Sequence, residues 1–426
     1  MTIPQLYHIY QLHPSIQTDT RKLTGGDMFF ALKGPNFNGN LFAKQALEMG
    51  AAYAVVDEDV EGNDPRILRV EDTLVALQEL ARYHREQFSI PFIAITGSNG
   101  KTTSKELVSA VLASHFITYT TQGNLNNHIG VPLTLLSIRK DAQMAVIEMG
   151  ANHQKEIEGY CYYTQPTHGI ITNIGKAHLE GFGGEEGVKK GKGELFDYLR
   201  AHNGIAFVFA DHAVFQDMVQ GIREVVWYGT REGDIQGTVS MSEPFLQVSV
   251  NKGFPSSIHI QSRLVGDYNL SNILCAVAVG RYFGVPEEKI RAAIENYTPS
   301  NSRSQLVKDG TNSVVLDAYN ANPSSMRLAI ENFAKLHAQK KVLMLGGMME
   351  LGSSSLQEHK DIVSLIQQYH WQDVVLVGGD FGRFDHSFRY FPDSLAAAHW
   401  FREQHFNHTH ILVKGSRSMQ MERIVG

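Results

Sequence analysis

At 426 residues the chain is too long for one hydrophobic core, and a prior of about 150 residues per domain divides it into three. Its 43% hydrophobic and 19% charged residues are ordinary for a globular protein, but a net charge of -6 excludes a general nucleic-acid binder, so anionic ligands must be met by local clusters of cations. Two cysteines, Cys161 and Cys275, exclude a disulfide framework and fit a reducing compartment; no secretory signal opens the chain, no apolar run reaches the ~20 residues of a membrane span, and a cytoplasmic location is expected.

Residues 1–87 are expected to form a small first domain. Asp27 to Leu32 and Ala51 to Val56 read as strands, Asn40 to Met49 as a helix closed by Gly50, and Asp72 to Gln87 as a helix leading to a boundary before Pro91. Read alone, Arg21 in Asp19-Thr-Arg21 is a solvated surface charge.

The second domain, 88–300, opens on the apolar strand Pro91-Phe-Ile-Ala-Ile95, the tight loop Gly97-Ser-Asn-Gly100 and a helix from Thr102 to Ala113. That order describes a phosphate cradle. Gly97 and Gly100 let backbone N–H groups approach anionic oxygens around Ser98 and Asn99, the helix N-terminus adds partial positive charge, and Lys101 adds a full one. The Thr102 hydroxyl, followed by Thr103, suits a magnesium ion, and ATP is the expected ligand. Only two residues separate the glycines, against four in the general phosphate-loop pattern.

Downstream, Asn126 and Asn127 in the loop Gln122-Gly-Asn-Leu-Asn-Asn127 either touch substrate or cap the apolar helix that follows. The buried strand Met144 to Met149 carries Glu148 near its end, where a carboxylate beside a phosphate loop can complete a magnesium shell. His178 follows another strand, His168 to Ile174, and gains interest only from that position. Val188-Lys-Lys-Gly-Lys192 places three lysines where a helix should begin, and cations there would attract phosphate. A buried helix from Gly266 towards Gly284 precedes a second helix starting at Pro286-Glu-Glu288.

In the third domain, 301–426, short apolar strands at 313–316, 341–345, 373–377 and 410–413 alternate with helices near 324–338, 356–369, 394–405 and 417–424. That alternation predicts a mostly parallel, doubly wound sheet with binding at the strand C-terminal ends. The fold class expected for the whole chain is α/β in three domains, with a central P-loop ATPase-type mostly parallel sheet and a Rossmann-like C-terminal domain.

Thr96-Gly-x-x-Gly-Lys-Thr-Thr103 resembles the ATP loop of the Mur and folylpolyglutamate ligases, which join an amine to a carboxylate. Asp19-Thr-Arg21, Gly26 to Gly34 and Phe37-Asn-Gly-Asn40 are similar to the uridine-nucleotide domain of the later Mur ligases, with Thr20 in place of the usual Ser, and Asp317-Ala-Tyr-Asn-Ala-Asn-Pro323 to the branch that adds a dipeptide. The resemblance covers nearly the whole chain. It implies an ATP-dependent ligase joining D-alanyl-D-alanine to UDP-N-acetylmuramoyl-tripeptide, acting as a cytoplasmic monomer without nucleic-acid partners.

It also implies roles residue by residue. Thr20, Arg21 and Asn38 would meet the uridine nucleotide; Asn272 would contact adenine, and Arg303, with Asp317 and Asn320, would reach ATP across the cleft. Lys414 and Ser416 of Lys414-Gly-Ser-Arg417 would face the incoming substrate, Lys414 through a carboxylate. In this branch a lysine fourteen residues after the metal-binding His is carbamylated, which lands on Lys192; an uncarbamylated lysine contacting phosphate is the rival reading. Thr102 and Glu148 would hold one magnesium, His178 and carbamylated Lys192 the other, and Lys101, His178 and Lys192 would be the catalytic groups. Gly347 departs from the family, which commonly has Asp there. Two rivals remain: a Mur ligase adding the third amino acid, disfavoured by Tyr319 to Pro323 and by the lack of an Asp-Asn-Pro-Arg motif, and a phosphate-loop ATPase or switch without ligase activity.

Overall fold

The strand Phe92–Thr96 is buried along its whole length, as a strand covered by helices on both faces must be. In this computed structural model, which describes residues 1–300 and 302–425, it lies inside a nine-stranded sheet between His168–Ile171 and Met144–Glu148, parallel to both. The chain leaves it in opposite directions along the sheet, which makes its C-terminal end a topological switch point where open α/β sheets bind ligands. The loop Gly97 to Gly100 sits there, and Glu148 is level with Ile95 on the neighbouring strand.

The helix Lys101–Ala113 presents Leu107, Val108, Val111 and Leu112 on one face, packed against the buried helix Leu270–Tyr282. Each such side chain contributes about 1.5–3 kcal/mol on burial, so the phosphate loop is anchored by its flanking elements rather than by itself. Beyond His168–Ile171 the sheet continues parallel through Ile205–Phe209, Glu224–Gly229 and Ile235–Met241, then turns antiparallel through Gln247–Lys252 and Ile258–Gln261. Alternating polar and apolar residues, unlike the continuous apolar runs singled out in the sequence, build this half-exposed end.

The N-terminal region forms a four-stranded parallel sheet, in the order Ile16–Gln17, Met28–Phe30, Tyr53–Val56 and Ile67–Arg69. The helix expected over 40–49 begins as a 3-10 turn, Gly39–Phe42, because the Asn38 side chain accepts from the Asn40 N–H; the α-helix is Ala43–Glu48. The helix Thr73–Arg85 joins this sheet to the next through His84, which bonds Tyr7 and the Ile138 carbonyl.

The third sheet runs Gln305–Asp309, Asn312–Asp317, His410–Lys414, Lys341–Gly346, Asp373–Val377 and Arg389–Phe391. All pairs are parallel except the first. The expected α/β class with parallel-dominated sheets is present. The two edge strands lie outside the four expected: Gln305–Asp309 carries polar residues at three of its five positions, and Arg389–Phe391 is only three residues long. The helix expected over 417–424 is two 3-10 turns, Arg417–Met419 and Met421–Ile424, separated by Gln420 at φ 50°, a left-handed backbone no α-helix continues through. The lysine run lies inside a helix, Glu185–Ala201, rather than at its start, since the chain turns at Gly184 and two glutamates follow at the positive helix end.

Candidate active site

Gly97 has φ +140° and Gly100 φ +74°, both in backbone territory that side chains rarely adopt, and both face crowded neighbours. A Cβ at Gly97 would stand 2.1 Å from the Thr172 hydroxyl; one at Gly100 would stand 2.7 Å from Asn272 Oδ1. Gly100 is the N-cap of helix Lys101–Ala113 without any side-chain cap, so the first-turn N–H groups face the cleft lined by Lys101, Thr102 and Thr103. Gly97→Ala is expected to cost about 2 kcal/mol of stability and to abolish nucleotide binding, as thermal unfolding and ATP titration of the variant would measure. Wild-type ATP affinity in the variant would contradict the loop's role.

The rest of the loop is pinned from the strand His168–Ile171 onward. Ser98 bonds both the Gly175 carbonyl and its N–H, and Asn99 N–H donates to Asn173. The Lys101 ammonium turns back onto the carbonyls of Gly97 (2.7 Å) and Ser98 (3.3 Å). Burial pushes Lys101 down to about 8, partly offset by Glu148.

Glu148 is almost wholly buried. Its Oε1 accepts from the Thr102 hydroxyl at 3.1 Å and from Asn126 Nδ2 at 2.7 Å, while Oε2 has no partner. A buried carboxylate oxygen without a donor costs about 1–3 kcal/mol, more when charged, and a cation at that oxygen removes the cost. Thr102 and Glu148 therefore fit one magnesium ion. Among the described residues no three His, Cys, Asp or Glu side chains cluster as a metal site; magnesium commonly takes one or two protein oxygens and completes its shell with phosphate and water.

Lys192 sits on the apolar stripe of its helix with Val188, Leu195, Phe196 and Leu199, and is fully buried. Its ammonium donates to the Ala151 carbonyl at 2.9 Å and lies 4.9 Å from the Phe182 ring centre. Burial first, and the neighbouring Lys101 charge second, hold its pKa well below the ordinary lysine value. It is thus not a surface lysine drawn to phosphate but an amine beneath the cleft floor, directly under Ala151. His178 lines the cleft itself and pairs through Nδ1 with Glu350 from the third sheet's loops.

Asn127 caps the helix Gly130–Ser137, accepting from the Gly130 N–H at 2.8 Å, whereas Asn126 holds Glu148. Both line the cleft. Asn272 lines it too, with Oδ1 bonded to Ser104 and Nδ2 to Asn269.

Across the cleft stand Arg303, Asp317, Asn320, Lys414 and Ser416. Asp317 and Lys414 are register partners on adjacent parallel strands, which brings Lys414 Nζ to 2.6 Å from Asp317 Oδ2, and Asp317 Oδ1 accepts from the Ser304 N–H. The expected carboxylate of Lys414 is therefore within the chain. Ser416 is equally committed: its hydroxyl donates to Ala321 O and accepts from the Met349 N–H, tying two loops together. A Cβ at Gly347 would stand 2.6 Å from Gly379 Cα, so an aspartate there would require the adjacent backbone to move.

The two sheets also touch around the phosphate loop. Asn322 donates to Asn99 at 2.7 Å, Ser324 accepts from the Lys176 N–H, and Lys176 pairs with Glu358 at 2.6 Å. None of Asn322, Ser324, Glu350 or Glu358 was singled out for a role; only Asn322 lay in a stretch already of interest. Together these walls enclose a cleft of about 940 Å³.

Thr20, Arg21 and Asn38 are not among its lining. Arg21 is largely exposed and forks onto Asp19, drawing that carboxyl down to about 2, and Asn38 bonds Glu58 and Asn40. Among the described residues no helix is long and apolar enough to cross a membrane.

Three family models match the chain: the Mur ligase catalytic domain over residues 14–85, the Mur ligase middle domain over 95–280 and the Mur ligase glutamate ligase domain over 302–417. A relative from Bacillus subtilis (strain 168), the UDP-N-acetylmuramoyl-tripeptide--D-alanyl-D-alanine ligase, is 34% identical over 96% of this chain and 92% of its own. A crystal structure of MurF from Acinetobacter baumannii superposes with a TM-score of 0.89 at 31% identity, covering 99% of this chain and 97% of that one. MurF ligase from Thermotoga maritima in complex with ADP does so with a TM-score of 0.87 at 25% identity, covering 97% and 96%.

Proposed function

The chain belongs to the Mur ligase family, and from that premise we infer that it is an ATP-dependent ligase adding D-alanyl-D-alanine to UDP-N-acetylmuramoyl-tripeptide in peptidoglycan synthesis. The observation that carries the reading is that a phosphate loop on one sheet and the loop Asp317 to Pro323 on another line a single cleft.

A carboxylate is a poor electrophile, so activation precedes joining. The tripeptide's terminal carboxylate oxygen attacks the γ-phosphorus of ATP, the bond to ADP breaks, and an acyl phosphate forms. The dipeptide amine then attacks the carbonyl carbon, sheds a proton, and phosphate leaves with the electron pair of the C–O bond. Lys101 and the N–H groups of Gly100 to Thr103 hold the phosphates and oppose the charge that develops on them, the Ser98 and Asn99 N–H groups being bonded to Asn173. Arg303 meets the phosphates from the other wall, with Asp317 fixing its loop through the Ser304 N–H, and Asn320 adds an exposed amide there. Asn272 serves the adenine end.

Thr102 and Glu148 would hold one magnesium ion, and His178 with carbamylated Lys192 a second; bound there, the metal supplies positive charge to the phosphoryl oxygens. The depressed pKa of Lys192 supports the carbamate, because the neutral amine is the form that adds to carbon dioxide. For His178 to serve, its pairing with Glu350 has to open. Thr20, Arg21 and Asn38 bind the uridine nucleotide, and residues 1–87, 88–300 and 301–426 act as the substrate, ATP and dipeptide domains. The protein is expected to act as a monomer, and the two buried free thiols support a cytoplasmic setting.

The test is direct. The purified protein is incubated with ATP, magnesium, D-alanyl-D-alanine and UDP-tripeptide ending in either lysine or diaminopimelate, and products are weighed by mass spectrometry. A pentapeptide nucleotide formed with ADP is the expected result; ATP turnover indifferent to the dipeptide would favour a simple ATPase, and addition of a free diamino acid to a dipeptide nucleotide would favour a ligase for the third residue.

A further inference from the structure

With Lys414 committed to Asp317, the cleft's second wall is left with two other cations, Arg303 and Arg417. Both guanidinium groups lie on one aromatic side chain: Arg303 Cζ is 3.5 Å and Arg417 Cζ 5.1 Å from the ring centre of Tyr319. Among the described residues neither is ion-paired with an acidic side chain, and Arg417 is exposed. Two like charges gathered on a neutral ring without a carboxylate attract an anion from outside the chain. A guanidinium resting on a ring also keeps its N–H donors free in its own plane, arranged to grip a carboxylate by two parallel bonds.

Resting on the ligase reading, we propose that Arg417 receives the C-terminal carboxylate of the incoming dipeptide, and that Tyr319 is the positioning residue that holds Arg417 for it. The turn Arg417–Met419 that carries it stops at the left-handed Gln420, which keeps the arginine at the cleft rim instead of on a continuing helix. A dipeptide places its carboxylate about 7 Å from its amine when extended. One cation at the rim thus recognises the far end of the nucleophile while the amine reaches inward, and a single amino acid, whose carboxylate is one residue closer, is not gripped in the same pose.

The experiment compares D-alanyl-D-alanine with its C-terminal amide as acceptor, in the full-length protein and in Arg417→Ala, Arg417→Lys, Tyr319→Phe and Tyr319→Leu. Arg417→Ala is expected to raise KM for the dipeptide on the order of 10- to 100-fold, with KM for ATP and for the UDP-tripeptide unchanged. The amide should be a poor acceptor for the wild type and no worse for Arg417→Ala, so that the two proteins converge on it. Arg417→Lys, which keeps charge but loses the fork, should recover only part of the affinity; Tyr319→Phe should behave as wild type and Tyr319→Leu should raise the dipeptide KM. An Arg417→Ala effect equal on dipeptide and amide, or one confined to the KM for ATP, overturns the assignment while leaving the ligase reading intact. A wild-type protein that joins no dipeptide at all removes the ligase reading and this inference with it.

Discussion

Lys192→Ala is expected to lower kcat on the order of a hundredfold or more, with part of the activity returning in formate or acetate. A buried ammonium is costly unless it is paired. Lys192 has no acidic side chain bonded to it, only the Ala151 carbonyl, and both its burial and the Lys101 charge favour the neutral amine. A neutral amine adds to carbon dioxide with loss of one proton, and the product is an anion that a divalent cation can neutralise. The alanine variant leaves a space that a small carboxylic acid can enter, and the acid restores the lost negative charge.

A second substitution separates this role from packing. Lys192→Met fills the space without a charge and is expected to fold about as stably as wild type, since it keeps the apolar stem packed and gives up one hydrogen bond, to the Ala151 carbonyl. It should remain inactive with or without added acids. Full activity of either variant in plain buffer would show that the lysine contributes nothing to the reaction.

Lys101→Met should reduce kcat/KM by on the order of 10²–10³, the usual consequence of deleting one charge aimed at a developing oxyanion. The pH dependence is more distinctive. In the free protein Lys101 titrates at about 8, so it is mostly protonated at pH 7 and loses its charge as pH rises. Phosphate oxygens stabilise the ammonium, so ATP raises this pKa, and binding above pH 8 must first return the proton. Apparent ATP affinity is therefore expected to weaken by up to tenfold per pH unit above 8, until the pKa of the complex is reached, and to be flatter in Lys101→Met. Affinity that rises through this window in the wild type would contradict the assignment.

The phosphate loop and Glu148 were legible in the sequence because their determinants are local: an apolar strand, two glycines, a lysine and a threonine in order, and a carboxylate flanked by apolar residues. Lys192 was legible only through family resemblance, although its place on the stripe Val188, Lys192, Leu195, Leu199 was a local signal that it faces inward. Reading the lysines as the start of a helix obscured it. What could not be read were pairings made by topology. Lys414 meets Asp317 across 97 residues because two strands share a register, and His178 meets Glu350 because two sheets face each other. The same limit applies to Ser416, whose ties to Ala321 and Met349 cross between loops, and to Arg417, whose ring partner Tyr319 lies on another strand's loop. The strands from Ile235 to Gln261 escaped notice for a different reason: their buried residues alternate with polar ones, and no long hydrophobic run marks them.

The central claim is that this cleft activates a carboxylate by phosphorylating it before an amine attacks, and oxygen labelling reads that event directly. UDP-tripeptide carrying ¹⁸O in its terminal carboxylate is converted with ATP and D-alanyl-D-alanine, and the released phosphate is analysed by mass spectrometry. One labelled oxygen transferred to phosphate per amide bond formed is the predicted result; unlabelled phosphate accompanying amide formation would contradict the account.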